Sequence, residues 1–116
     1  PIVLSSDGTP VRSYLYGGDM AVWLLTLLAH APNGTISNVG SDIPISLTPL
    51  ADIICQSFSQ VKGVIVGAGS SGARSCYVPN ITLARQQFGH DIWTPIEVAL
   101  NDYFDWQSLV PPKSLS

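Results

Sequence analysis

Arg12 is the residue with the clearest chemistry. Lys and Arg together number 5 against 8 Asp and Glu, so cations are few. This one stands in the alternating run Val11-Arg12-Ser13-Tyr14-Leu15-Tyr16, directly after the turn-forming Ser6-Asp7-Gly8-Thr9-Pro10. A guanidinium stays charged at any working pH and offers forked donors matched to phosphate oxygens. The placement therefore points to an anion site, with a surface ion pair as the plainer reading. Asn38, at the end of a strand-like run, can reach a ligand or bond nearby backbone. Tyr14 and Tyr16 share one face of their run, opposite Leu15, and read as packing or rim residues.

A second candidate is Lys62-Gly63-Val64-Ile65-Val66-Gly67-Ala68-Gly69-Ser70-Ser71-Gly72, formally a strand followed by Gly-x-Gly-x-x-Gly. That spacing can admit a pyrophosphate to a helix N-terminus, but it needs a helix of several turns directly after it. Tyr77-Val78-Pro79-Asn80 follows instead, extended and broken by proline, so a flexible surface loop is the expected reading. Substituting Gly69 by a bulky residue should then matter little. Ser5-Ser6 and Ser70-Ser71 have no His–acid arrangement, so no nucleophile or other catalytic residue is assigned. His30 and His90 fall at helix ends, where the terminal carbonyls and dipole suit them, and no metal site is assigned. Cys55 and Cys76 are isolated and read as reduced thiols of a cytoplasmic protein. The sequons Asn33-Gly34-Thr35 and Asn80-Ile81-Thr82 are short enough to occur by chance.

These groups need a scaffold. With 116 residues, 46% apolar and 11% charged, the chain suits one well-buried domain rather than a disordered segment. Its net charge of -3 and lack of a basic stripe exclude general nucleic-acid binding. No apolar run reaches the length a bilayer needs. The opening Pro1-Ile2-Val3-Leu4 reads as a strand without an initiator Met, which suggests a piece of a longer chain. Further strands are expected at 11–16, 35–40 and 62–66, with an extended stretch at 75–78. Gly17-Gly18 breaks the first of these, and Asp19 caps a helix over 20–30 that is apolar nearly all round and so should be buried. Helices are also expected over 48–59 with Pro49 at its first position, over 82–88 with Gly89 as stop, and over 96–106 behind Thr94 as cap. Trp23, Trp93 and Trp106 read as core or domain-packing residues. The fold class is α/β, α+β-like: a small sheet of short strands with three to four helices over 1–109, then a mobile tail over 110–116.

Five stretches, in order, carry a family pattern. Asp7-Gly8-Thr9-Pro10-Val11-Arg12-Ser13-Tyr14 resembles "GDG-x-x-x-R-[SD]-[YF]", and Asp19-Met20-Ala21 resembles "D-[LM]-A". Asn38-Val39-Gly40-Ser41 is similar to "YNVGS". Tyr77-Val78-Pro79-Asn80 with Ala84-Arg85 to Gly89 resembles "YVPD-x-x-[KR]-A-x-x-x-LG", and Trp93-Thr94-Pro95-Ile96-Glu97 resembles the closing "W-x-[PS]-L-E-E" helix. Together they resemble the C-terminal substrate-binding domain of the NAD-dependent epimerase/dehydratase family, the extended short-chain dehydrogenase/reductases acting on nucleotide sugars. The chain departs from the pattern at Ser6, usually Gly, at Asn80, usually Asp, and at Gly17-Gly18, usually a bulkier pair.

The resemblance implies a parent enzyme, a homodimer, whose N-terminal Rossmann domain binds NAD and carries a Tyr-x-x-x-Lys pair. No tyrosine of this chain has lysine four residues on. It implies that this lobe holds a nucleotide-diphospho sugar, with Arg12 and Arg74 as diphosphate ligands and Tyr14 and Asn38 on the pocket rim. The lobe alone would bind no cofactor and would not turn over. It would also show an apolar face where its partner domain sits, to which Met20–Leu28 contributes. Two rivals stand beside this reading: a stand-alone interaction domain of the same fold, and a small nucleotide-binding module built on residues 67–72.

Overall fold

The turn before Arg12 forms as its residues dictate. In the computed structural model, which describes residues 1–69 and 75–110, the Asp7 carboxylate accepts from the Thr9 N–H at 3.0 Å and the Thr9 hydroxyl at 2.7 Å. Gly8 takes a φ of +76°, and a Cβ there would lie 2.0 Å from Thr48 Oγ1. Only glycine fits that conformation and that space.

Eight elements follow in the order β1 (Ile2–Leu4), β2 (Val11–Arg12), α1 (Gly17–His30), β3 (Ile45–Ser46), α2 (Leu47–Ser57), β4 (Val64–Val66), α3 (Thr82–Phe88) and α4 (Ile96–Leu109). β1 pairs in parallel with β4 through Ile2–Val64, Val3–Ile65 and Leu4–Val66. β2 pairs antiparallel with β3 through Val11–Ser46 and Arg12–Ile45. The class is α/β, with four helices around two short two-stranded sheets.

α3 and Gly89 match expectation residue for residue. Gly89 adopts φ +65°, and the His90 and Gly89 N–H groups donate back to Ala84 O and Arg85 O at 3.2 Å. This closure satisfies the last carbonyls of the helix. Other expectations need correction. β2 is two residues long, and Gly17-Gly18 starts α1 instead of breaking the chain. A Cβ on Gly18 would sit 2.6 Å from the Tyr16 ring, so a larger residue there would push that ring aside. The expected strand at 35–40 is absent, since both edges of β2 are already taken, by β3 and by the bridge to Cys76. α2 begins at Leu47, which puts Pro49 at its third position.

The core is small. Trp23, Ala51, Ile81 and Ala84 are the buried apolar residues among those described, and Leu15 and Ile92 pack on the Trp23 cluster. Trp93 and Trp106 are exposed, so of the three tryptophans only Trp23 is core. α1 is not buried on most of its surface either: it packs on α3, while Leu25 is 65% and Leu28 83% exposed. α1 therefore presents exposed apolar side chains, among them Leu24, Leu25 and Leu28. Arg74, the last three residues of the glycine loop and the tail from 111 onward lie outside the described residues.

Candidate functional site

The five sequence stretches that carry the family pattern are tied to one another pairwise. The first meets the fourth at β2. Val11 N–H donates to Ser75 O at 2.8 Å, and Tyr77 N–H donates to Val11 O at 3.1 Å. β2 thus runs between β3 and the 75–77 segment, in the middle of a small sheet. The third stretch meets the fourth where Asn38 Nδ2 donates to Asn80 O at 2.9 Å. Beside that bond a Cβ on Gly40 would lie 2.9 Å from Pro79, so only glycine permits the approach. The second meets the fifth where buried Asp19 accepts from the Thr94 N–H and the Thr94 hydroxyl, each at 2.9 Å. Neither end of this last pair caps its own helix, contrary to expectation.

Arg12 is half-buried at the centre of this arrangement. Its Nη1 donates to Val11 O at 2.7 Å and Ser75 O at 3.1 Å, and its Nη2 donates to Ser75 Oγ at 2.9 Å. Among the described residues it enters no ion pair. Three neutral contacts leave Nε–H and one Nη2 hydrogen without a partner among the described residues. A guanidinium oriented by backbone and hydroxyl oxygens, with its charge uncompensated, suits an anion.

Tyr14 is half-exposed and lines two adjoining clefts. One, of about 240 Å³, lies between the Ser41–Ile45 stretch and the start of α4. The other, of about 330 Å³, runs under Tyr14–Gly17 against α2 and α4. Thr94 and Ile96 line both. The Asn38 amide nitrogen is committed to Asn80, and Asn38 lines neither cleft.

The chain matches no protein-family description and no curated protein. Solved structures do resemble it. MoeE5 in complex with UDP-glucuronic acid and NAD superposes with a TM-score of 0.77 at 16% identity, over 94% of this chain and 37% of that one. UDP-glucose 4-epimerase from Thermotoga maritima gives 0.77 at 20% identity, over 94% and 36%. The dTDP-glucose 4,6-dehydratase DesIV from Streptomyces venezuelae, with NAD and TYD bound, gives 0.76 at 19%, over 92% and 34%.

The chain has the fold of part of an extended short-chain dehydrogenase/reductase. It spans a little over a third of the length of these three chains. Among the described residues, no helix begins between β4 and α3, and the two described glycines of the loop serve backbone packing. A Cβ at Gly67 would be 2.8 Å from Leu4 O, and one at Gly69 would be 2.7 Å from Asp7 N. A bulky residue at Gly69 therefore disturbs the turn leading to Arg12, contrary to the expectation that it matters little.

Two features of this lobe were not foreseen. Arg85 of α3 bridges Asp42, the residue after the 38–41 stretch, and Asp91 on the surface. The guanidinium holds the Asp42 carboxyl below its ordinary range, and the Ile92 N–H followed by Arg85 does the same for Asp91. His90 is buried and stacks on Trp23 at 4.5 Å, with both ring nitrogens unpartnered among the described residues. It does not meet helix carbonyls through its ring, as a helix-end histidine was expected to. Burial pushes its pKa below the ordinary value.

A depressed folded pKa means that the unfolded chain takes the proton first as pH falls. The neutral ring's contribution is therefore intact above about pH 6.5 and is lost below it, by at most ~1.4 kcal/mol per pH unit. Urea midpoints of the wild type should fall with pH in this range, and those of His90→Phe should fall less steeply. Parallel profiles would remove His90 as the cause.

Proposed function

We propose that the chain is the substrate-binding portion of an NAD-dependent nucleotide-sugar epimerase or dehydratase, in which Arg12, together with Arg74, holds the diphosphate. The observation that carries this reading is Arg12 itself. It stands mid-sheet in the stretch that resembles the family's arginine strand, oriented by three neutral contacts and with no carboxylate on it among the described residues. The likeness to structures holding UDP-glucuronic acid, UDP-glucose or TYD supports it. Tyr14, which lines both clefts, is the rim residue of this reading; Asn38 lines neither and is bonded to Asn80 instead.

The work is positioning. Binding energy from the non-reacting nucleotide orients the sugar against a nicotinamide held by a separate Rossmann domain. That domain covers the exposed apolar side of α1. The parent is a cytoplasmic homodimer, and no helix among the described residues is long and apolar enough to cross a membrane. Reading the coding sequence upstream of Pro1 tests the parent. Gly-x-x-Gly-x-x-Gly followed by Tyr-x-x-x-Lys is expected, and a start codon at Pro1 would favour the interaction domain.

The role of Arg12 is tested by calorimetric titration of UDP and dTDP into the longest product of that coding sequence. A charged hydrogen-bond pair contributes about 1.5–3 kcal/mol. Arg12→Gln should therefore weaken binding of the preferred nucleotide by roughly tenfold to a hundredfold. Arg12→Lys should recover only part, because an ammonium is not a fork. Equal affinities for wild type and Arg12→Gln, or no binding by the wild type, would overturn the assignment.

A further inference from the structure

The sequon Asn33-Gly34-Thr35 has no part in the proposed site, and its geometry suits different chemistry. Residues 32–35 form a turn just beyond the C-terminus of α1, closed by Thr35 N–H donating to Pro32 O at 3.1 Å. Gly34 has φ +83°, while no described non-glycine residue has positive φ. Positive φ at the third turn position alone is the mark of a type II turn, which glycine accepts without strain. Asn33 and Gly34 are both exposed, and a Cβ on Gly34 would meet nothing within 4 Å. Neither the Asn33 carboxamide nor the Gly34 N–H has a hydrogen-bond partner among the described residues.

We infer that Asn33 is a site of spontaneous deamidation. The Gly34 backbone nitrogen, deprotonated by hydroxide or a buffer base, attacks Asn33 Cγ. An N–Cγ bond forms, the Cγ–Nδ2 bond breaks, the nitrogen leaves as ammonia with a proton returned by the conjugate acid of the base, and a five-membered succinimide results. Water then opens that ring at either carbonyl, giving aspartate or, with the main chain rerouted through the side chain, isoaspartate. No oxidant or reductant is consumed. Ring closure requires the Gly34 peptide plane to swing toward the side chain. Two hydrogen bonds to Pro32 O hold this exposed turn, from the Thr35 N–H at 3.1 Å and the Thr35 hydroxyl at 2.7 Å; neither engages Asn33 or the Gly34 N–H, and no Cβ obstructs the movement.

The other asparagines lack this combination. Asn38 and Asn80 precede β-branched residues, Asn38 Nδ2 is bonded to Asn80 O, and Asn80 Oδ1 accepts from Thr82 N–H. Asn101 lies inside α4. The product carboxylate stands next to the C-terminal end of α1, where the helix dipole disfavours a negative charge.

The test is prolonged incubation of the folded chain in mildly alkaline and mildly acidic buffer, followed by peptide mapping. Isoaspartate is labelled with a protein isoaspartyl methyltransferase. The peptide carrying Asn33 should gain about one dalton and accept label, faster in alkali, while the peptides carrying Asn38, Asn80 and Asn101 stay unchanged. Gly34→Ala should slow the reaction by roughly tenfold, since a methyl group restricts the rotation that ring closure needs. The site sits in an exposed turn away from the core, so circular dichroism should show Asn33→Gln folded and unlabelled. No mass gain at Asn33, or equal rates at all four asparagines, would overturn the inference.

Discussion

Trp23→Ala should remove the cooperative unfolding transition of the isolated chain. The indole is completely buried, stacks on His90 at 4.5 Å, packs with Ile81 and Ala84, and donates from Nε1 to Asp91 O at 3.1 Å. Removing a buried tryptophan costs about 3–5 kcal/mol in lost transfer energy and cavity. That loss is severe here because the described core has only four buried apolar residues, two of them alanine. Native domains have only about 5–15 kcal/mol in all. Loss of the ring also strips contacts from His90, whose nitrogens have no other partner among the described residues. Trp23→Phe keeps an aromatic stack and loses the hydrogen bond, a change of about 1 kcal/mol. Urea titrations followed by far-UV circular dichroism separate the two variants. A Trp23→Ala protein within about 1 kcal/mol of wild type would show that the core lies elsewhere.

What could be read from the sequence depended on how local the cause was. α3 and its Gly89 stop are dictated by residues within one turn of each other, and they match to the residue. The Asp7-Gly8-Thr9 turn is local in the same sense. The strand expected at 35–40 failed because pairing is decided by what already occupies the edges of β2. Asp19 failed as a helix cap for a similar reason. An acid in the first turn can satisfy its own helix or a neighbour, and the neighbour is 75 residues away. The bridge of Arg85 to Asp42 spans 43 residues and carries no local mark. Arg12 was legible because its run alternates and cations are scarce, whereas its Ser75 partner lies 63 residues on. The exposed side of α1 was only half legible. Apolarity all round points to burial, yet Leu25 and Leu28 stay exposed among the described residues.

The contact between Asp19 and Thr94 leads to the second large effect. Asp19→Ala should destabilise the chain by about 3 kcal/mol, because two donors lose a charged acceptor and hydrogen bonds to charged groups contribute about 1.5–3 kcal/mol each. Asp19 is buried, so water replaces the carboxylate poorly, and Thr94 N–H and Oγ1 are left without it. Asp19→Asn retains one acceptor oxygen in place of two and should lose roughly half as much. The consequence reaches the clefts, since Thr94 and Ile96 line both and the contact fixes the entry of α4 against α1. A double-mutant cycle with Thr94→Val isolates the hydroxyl contribution. That variant keeps the backbone N–H bond, so a coupling of about 1.5 kcal/mol is expected between the two sites. Additive effects would mean that the hydroxyl bond contributes nothing and that Asp19 acts through the Thr94 N–H bond and its burial. A coupling of the expected size would show that two stretches distant in sequence are joined by one carboxylate, which also sets the shape of the clefts beside Tyr14.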